Sequence, residues 1–232
     1  KETAKNREVL GVVKANAYGL GSIEVAKILK EVDVKIFGVA NLEEAIELQE
    51  GGIKDKILIL GASFEDELIE ATKRNIHVAI SSIEQLQFLV ANKLNPNIHL
   101  KFDTGMTRLG FEVDDVEKVI DYCKNNNLNL VGIFSHLSDS DGNTVETKNF
   151  TLEQIEKFKK IVSPLNLEYI HISNSAGITN FHDDILGNLV RLGIGMYSFT
   201  GNKKTPYLKN IFTIKSRVLF IKKVKKDSFV SY

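Results

Sequence analysis

With 232 residues, 43% of them hydrophobic, the chain can bury one sizeable core, as one large domain or one and a half. Thirty basic side chains balance thirty acidic ones, which argues against nucleic acid or an anionic membrane as a bulk electrostatic partner. The single Cys123 permits no intrachain disulfide and makes a reducing, cytoplasmic compartment the expectation; no apolar stretch reaches the length of a membrane span and no signal peptide is visible, although the chain opens on Lys1 rather than methionine.

From end to end, short apolar runs alternate with longer amphipathic or polar stretches, the pattern of a parallel sheet with helical crossovers. Eight runs stand out: Val9 to Ala15, Ile36 to Asn41, Ile57 to Ala62, His77 to Ser81, Ile98 to Asp103, Leu130 to His136, Tyr169 to Asn174 and Leu189 to Tyr197. Between them, helices are predicted over Glu43 to Gly51, Phe64 to Asn75, Ser82 to Asn92, Asp114 to Asn126 and Thr151 to Val162. Ser81 or Ser82 before Glu84, Asp114 before Glu117 and Thr151 before Glu153 read as helix starts, and Gly51-Gly52 as a helix end. Eight strand and helix units are the count of an α/β (β/α)8 barrel of the TIM type, with a doubly wound open sheet as the main rival.

Asp139 to Lys148, rich in Asp, Ser, Asn and Thr, reads as a long polar loop beyond the sixth strand, where a barrel places active-site loops. After Tyr197 the texture changes. Gly201 to Pro206 reads as a linker, and Ile211 to Tyr232 alternates like antiparallel strands, with Ile214, Val218, Phe220, Ile221 and Val224 set among lysines and an arginine. The expected division is therefore a barrel over residues 1–200, then a linker and the first strands of an incomplete β-rich domain over 201–232.

In a barrel, function sits at the carboxyl ends of the strands. Lys14 ends the first run, where partial desolvation would free its lone pair for a carbonyl; the bland alternative is a lysine snorkelling from a strand end. Period-two geometry puts His99, Lys101 and Asp103 on one face of the fifth strand, with Leu100 and Phe102 on the other. Charges aimed into a barrel are expensive unless paired or used. His136 ends the sixth strand, Asn174-Ser175-Ala176-Gly177 follows the seventh, and Arg191 with Gly193-Ile194-Gly195 lies on the eighth. The last two groups supply small hydroxyls and backbone NH groups where barrels often bind phosphate, or else glycines that only relieve crowding at a turn. A lysine on the first strand and a phosphate cup by the last two is the layout a pyridoxal phosphate enzyme requires, and no metal site is expected.

The segment Val13-Lys14-Ala15-Asn16-Ala17-Tyr18-Gly19 followed by Gly21 resembles the pyridoxal phosphate attachment motif of the alanine racemases. Four further segments agree in order and spacing: Leu100 to Phe111 (LKFDTGMTRLGF), Ser135-His136-Leu137, Ser173 to Gly177 (SNSAG) and Val190 to Tyr197 (VRLGIGMY). The resemblance covers nearly the whole chain. It implies a pyridoxal 5'-phosphate-dependent isomerase interconverting L- and D-alanine, supplying D-alanine for peptidoglycan, and a homodimer in the full-length protein. Lys14 would then attach the cofactor and act as base on one face of the substrate α-carbon. Tyr18, Asn174, Ser175, Gly193 and Ile194 would hold the cofactor with its phosphate. Arg191 would face the pyridine nitrogen and keep it unprotonated, and His136 would lie beside the ring and bond Arg191. Arg108 would touch the cofactor's phenolic oxygen and the substrate carboxylate. Lys101 matches a lysine that is carbamylated in some members; pairing with Asp103 is the alternative.

Leu20, in place of a frequent histidine, and Thr107 depart from the family's usual choices without removing a proposed catalytic group. The family's second base, a tyrosine from the carboxy-terminal domain of the partner, is not matched by Tyr232, so the 232-residue chain alone is expected to racemise alanine weakly or not at all. Alternatives are a serine or broad-specificity racemase, which shares every motif, and a non-catalytic pyridoxal phosphate-binding barrel, whose motifs differ from Asp103-Thr104-Gly105-Met106. A basic amino acid decarboxylase is disfavoured by Leu137-Ser138-Asp139 after His136.

Overall fold

The computed structural model describes residues 4, 6–197, 209, 211, 213 and 215–230. Eight parallel strands form the barrel wall: β1 (Glu8–Val12), β2 (Ile36–Val39), β3 (Lys56–Ile59), β4 (His77–Ile80), β5 (Ile98–Lys101), β6 (Leu130–Phe134), β7 (Tyr169–His171) and β8 (Leu189–Leu192). They hydrogen-bond in the order β7-β6-β5-β4-β3-β2-β1-β8, which excludes a doubly wound sheet, because β8 returns to β1. The circle closes lightly. Between β7 and β8 the backbone bonds are Asn188 N to Ile170 O at 3.1 Å and Arg191 N to Ser173 O at 3.0 Å.

Each of the eight apolar runs coincides with a strand, β1 and β3 starting one residue earlier, and every strand ends before its run does, because the last residues bend away to build loops. Alternate side chains divide between two environments. Phe37, Ile57, Ile59, Val78, Ile80 and Leu100 face outward onto helix residues such as Ala45, Leu48, Leu68, Leu86 and Leu89, forming the main core. Leu10, Val12, Ile36, Leu58, Tyr169 and Leu189 form a smaller apolar cluster that includes Val12 of the cavity described below. Beside these buried apolar residues lie the buried polar side chains His77, His99, Lys101, His171 and Arg191.

Helices α3 (Leu42–Glu50), α4 (Glu65–Lys73), α5 (Ile83–Ala91) and α6 (Val116–Asn125) lie where the periodicity predicts them, after a single turn α1 (Lys14–Gly19) and a helix α2 (Ser22–Glu31) that the pattern above does not name. Asn41 and Ser82 cap α3 and α5 by accepting from the backbone NH of Glu44 at 3.1 Å and Gln85 at 3.4 Å. Two expectations need correction. Helix α7 (Val145–Val162) begins inside the segment read as a loop: Thr144 caps it through Thr147 N at 3.2 Å, and Thr151, read as a start, lies within it and donates to Thr147 O at 2.9 Å. The last α-helix among the described residues is α8 (Ser175–Asn180), between β7 and β8.

The second correction concerns the tail. Residues 215–230 form no strand, and Val218, Phe220, Ile221 and Val224 are exposed. A pair of strands without an apolar surface to lie on is marginal in water, so alternation alone does not create the hairpin. The linker expected over Gly201 to Pro206, and Ile214, lie outside the described residues.

Candidate active site

The backbone after β1 does something that the letters do not announce. Ala15, Asn16, Ala17 and Tyr18 all have positive φ, at 51°, 53°, 52° and 57°, so α1 is a left-handed turn. For L-residues this conformation costs roughly 1–2 kcal/mol each and needs outside support. Glu44 provides much of it: one carboxylate oxygen accepts from Ala15 N at 2.7 Å and the other from Ala40 N at 2.7 Å, tying the turn to the end of β2. Asn16 Oδ1 accepts from Ser22 N at 2.8 Å, and Ala17 is buried beneath. Glu44→Ala is therefore expected to cost about 2 kcal/mol in a urea melt, the scale of charged hydrogen bonds left unmade, and Glu44→Gln about half of that. An unchanged midpoint would remove Glu44 from this role.

Lys14 opens the turn and is exposed rather than desolvated as the strand-end argument expects, because the left-handed turn carries it past the wall to the mouth of a cavity of about 240 Å³. That cavity is also lined by Tyr18, Lys101, Arg108, His136, Asn174, Ser175, Arg191, Gly193 and Ile194. The structure thus brings every predicted site residue to one place. Sequence reasoning missed Phe134 and Asp141 on the same wall, and His171 and Glu44 behind it. His171 was legible: it lies two residues from Tyr169 and from Ser173, on the inward face of the seventh strand.

Arg191 forms the floor. Its Nη2 donates to Ser135 O at 2.7 Å and Ile172 O at 2.9 Å and lies 3.0 Å from His136 Nδ1; its Nη1 donates to His171 O at 3.2 Å and lies 2.6 Å from His171 Nδ1. These acceptors engage Nη1 and Nη2, whereas Nε makes no hydrogen bond to the described residues. Burial pulls the guanidinium down to about 9, still charged near neutrality. Since Arg191 only donates, His136 must present a lone pair on Nδ1, and burial followed by the charge of Arg191 pushes this imidazole down to about 2.

Lys101, buried on β5, is lowered to about 8, first by desolvation and then by Arg108 and Arg191, with Asp103 opposing. The ion pair with Asp103 considered above does not form. Asp103 Oδ1 instead accepts from Gly105 N at 2.8 Å and Thr107 N at 3.0 Å, shaping the loop that carries the exposed Arg108. Thr107 pays for that shape with φ 53°, a conformation poorly suited to a β-branched residue. Thr107→Gly is expected to raise stability by about 1 kcal/mol, read as a higher urea midpoint; a lower one would show that the threonine side chain outweighs its strain.

The opposite rim is built from backbone. Ser175 Oγ accepts from Gly193 N and from Gly195 N, both at 3.1 Å, so two NH groups converge on one point. A Cβ on Gly193 would lie 2.8 Å from the Tyr18 hydroxyl, which places that phenol beside the same cup. Tyr18 packs on Tyr197 with ring centroids 5.1 Å apart, and burial raises both phenols, Tyr197 to about 12. Ile194 lines the cavity with an exposed side chain. Asn174 has structural work: it caps α8 through Gly177 N at 2.9 Å, accepts from Ser140 and donates to Leu137 O.

Comparison with known proteins agrees with this geometry. The family model described as alanine racemase, N-terminal domain, matches residues 1–200. An alanine racemase of Fusobacterium nucleatum subsp. nucleatum is 90% identical over 232 residues, which are 100% of this chain and 66% of that protein; the chain thus spans just under two thirds of this relative's length. An amino-acid racemase of Enterococcus faecalis is 35% identical over 238 residues, 98% of this chain and 34% of that protein. Among solved structures, the alanine racemase from E. faecalis superposes with a TM-score of 0.79 at 30% identity, covering 91% of this chain and 59% of that one.

Proposed function

Since the chain belongs to the alanine racemase family, we propose that the whole protein is a pyridoxal 5'-phosphate-dependent racemase interconverting L- and D-alanine. The observation that carries the proposal is the convergence on one cavity of an amine, a donor-only cation with a spare NH, and a cup of backbone NH groups. Those three match the aldehyde, ring nitrogen and phosphate of the cofactor, so the residues present fit it. Bound there, pyridoxal phosphate would acidify the α-proton of an amino acid held through its nitrogen.

The chain's own residues then have distinct tasks. Lys14 would hold the cofactor's aldehyde and would move a proton on one face of the α-carbon. Gly193 N, Gly195 N, the Ser175 hydroxyl and the Tyr18 phenol would receive the phosphate. Arg191, a cation that can only donate, would face the ring nitrogen and keep it unprotonated, which would limit electron withdrawal and disfavour transamination. His136, held through Nδ1 by Arg191, would lie beside the ring. Arg108 offers a forked donor for the substrate carboxylate and the cofactor's phenolic oxygen. Lys101 lies among cations, and with its pKa near 8 a sizeable neutral fraction could take up carbon dioxide as a carbamate, supplying an anion facing Arg108. The second base would come from the carboxy-terminal domain of a dimer partner. The D-alanine made in this way would serve peptidoglycan in the cytoplasm; among the described residues no helix is long and apolar enough to cross a membrane.

A second reading, a racemase of broader range acting on serine or other amino acids, is favoured by the similarity to the amino-acid racemase of E. faecalis. The deciding assay supplies the full-length protein with pyridoxal phosphate and follows enantiomer formation from L-alanine, L-serine and L-histidine. Alanine turned over at least about tenfold more efficiently than the others supports the first reading. Comparable rates on several substrates select the second, and no racemisation of any of them refutes both.

A further inference from the structure

Below the cavity, the barrel interior holds three histidines that the roles above leave unused: His77 on β4, His99 on β5 and His171 on β7, exposed by 4%, 0% and 0%. They form a connected column. Arg191 Nη1 lies 2.6 Å from His171 Nδ1, His171 Nε2 lies 3.3 Å from His99 Nδ1, and His99 Nε2 lies 3.0 Å from His77 Nδ1. The order of protons follows from the top. A guanidinium can only donate, so His171 Nδ1 carries a lone pair and its proton sits on Nε2. That proton is given to His99 Nδ1, whose own proton is then on Nε2 and is given to His77 Nδ1.

We infer that His99 and His77 are positioning residues for Arg191: they hold His171 in the one tautomer that offers a lone pair to the guanidinium. The inference rests on the reading of Arg191 as the cation facing the cofactor nitrogen. Three further features support the column. Phe134 stacks on His171 at 4.8 Å with planes 6° apart, and Tyr169 stacks on His99 at 5.3 Å and 19°, so the rings are clamped against turning over. Gly132 on β6 makes room for His99: a Cβ there would lie 2.3 Å from His99 Nδ1, the atom that accepts from His171. And no carboxylate pairs with Arg191 among the described residues; its charge is met by carbonyls and imidazole lone pairs.

That third feature gives the column its use. An acid beside Arg191 would cancel its field and ease protonation of a ring nitrogen in the cavity. A file of neutral imidazoles, each turned with its lone pair toward the guanidinium, stabilises the cation through aligned dipoles without cancelling its charge. Burial pushes all three imidazoles below their ordinary value, His77 to about 4, which keeps them neutral near pH 7. The charged groups around the column agree: Lys56, bonded to Glu168 and Tyr169, lies near His77, and Lys101, Arg108 and Lys14 lie above at the cavity.

The test begins with nitrogen NMR of the imidazoles in the full-length protein, with and without pyridoxal phosphate, near neutral pH. His77, His99 and His171 are expected to be neutral with the proton on Nε2, and a proton on Nδ1 of any of them, or a charged ring, overturns the inference. His99→Leu and Gly132→Ala, which break the same link from opposite sides, are then expected to lower kcat about tenfold with KM little changed, and to release His171 into a mixture of tautomers. His99→Asn, whose amide oxygen can accept the proton of His171, should restore most of the rate and the single tautomer. Wild-type kcat and an unmoved His171 signal in His99→Leu would equally refute it. If a variant fails to fold, the wild-type spectrum still decides. An inactive protein with the stated tautomers sinks the racemase reading and leaves the column standing; the wrong tautomers in an active protein do the reverse.

Discussion

Lys14→Ala in the full-length protein is expected to abolish the visible absorbance of attached pyridoxal phosphate and to lower alanine racemisation by about 10⁴-fold, the upper range for a positioned acid–base group. The fold should be indifferent to the change. Lys14 is exposed at the mouth, and the turn that follows is held by Glu44 and Asn16 through backbone atoms that alanine at position 14 leaves in place. A stability change within about 0.5 kcal/mol is expected, as for a surface substitution, so lost activity could not be blamed on unfolding. Lys14→Arg separates charge from chemistry, since arginine keeps the cation but does not attach an aldehyde under these conditions. Persistence of the cofactor's visible band in Lys14→Ala would mean that another amine captures the aldehyde.

The second large effect is on stability in acid. His77 and His136 are depressed to about 4 and about 2, and His99 and His171 lie well below the ordinary 6.5, burial being the first cause in each. In the unfolded chain these four imidazoles take up protons as the pH falls through about 6.5, whereas the folded chain refuses them until the pH is far lower. The unfolded state therefore binds more protons over that window, and unfolding free energy must fall as the pH falls. Their contribution is fully present above about 6.5. Each refused proton costs about 1.4 kcal/mol per pH unit, so four give a slope of roughly 5 kcal/mol per unit near pH 5, against a total of about 5–15 for a domain of this kind. Urea midpoints measured from pH 7 downward should drop steeply below pH 6, with unfolding in buffer alone before pH 4. A flat profile from pH 7 to 5 would show that the histidines are charged or solvated in the folded state.

The strands and the site were far more legible than the backbone that joins them. Runs such as Ile36-Phe37-Gly38-Val39 and Ile57-Leu58-Ile59 are β-branched, continuous and bounded by polar segments, so burial on both faces leaves few other readings. Once they were counted as a barrel, the strand-end rule gathered Lys14, His136, Ser175 and Arg191, but a snorkelling lysine, a satisfied histidine and turn glycines fit the same letters, and their roles came from the family resemblance. The left-handed turn could not be foreseen. Of Ala15, Asn16, Ala17 and Tyr18 only asparagine tolerates that region, and alanine is the best right-handed helix former; long-range bonds from Glu44 override local preference. Thr151 misled because a threonine before a glutamate looks alike at a helix start and inside a helix, where its hydroxyl bonds back to Thr147.

The light closure between β7 and β8 has a consequence for how the molecule would breathe. Two backbone bonds make this the thinnest part of the wall, yet just beyond it the Ser175 hydroxyl reaches from the α8 side to the amides of Gly193 and Gly195 on the other. An anion taking that hydroxyl's place would rivet the two edges together. Cofactor capture would then be felt as slower deuterium uptake along this gap, with the far side of the cylinder, where β3 and β4 pair, scarcely changed.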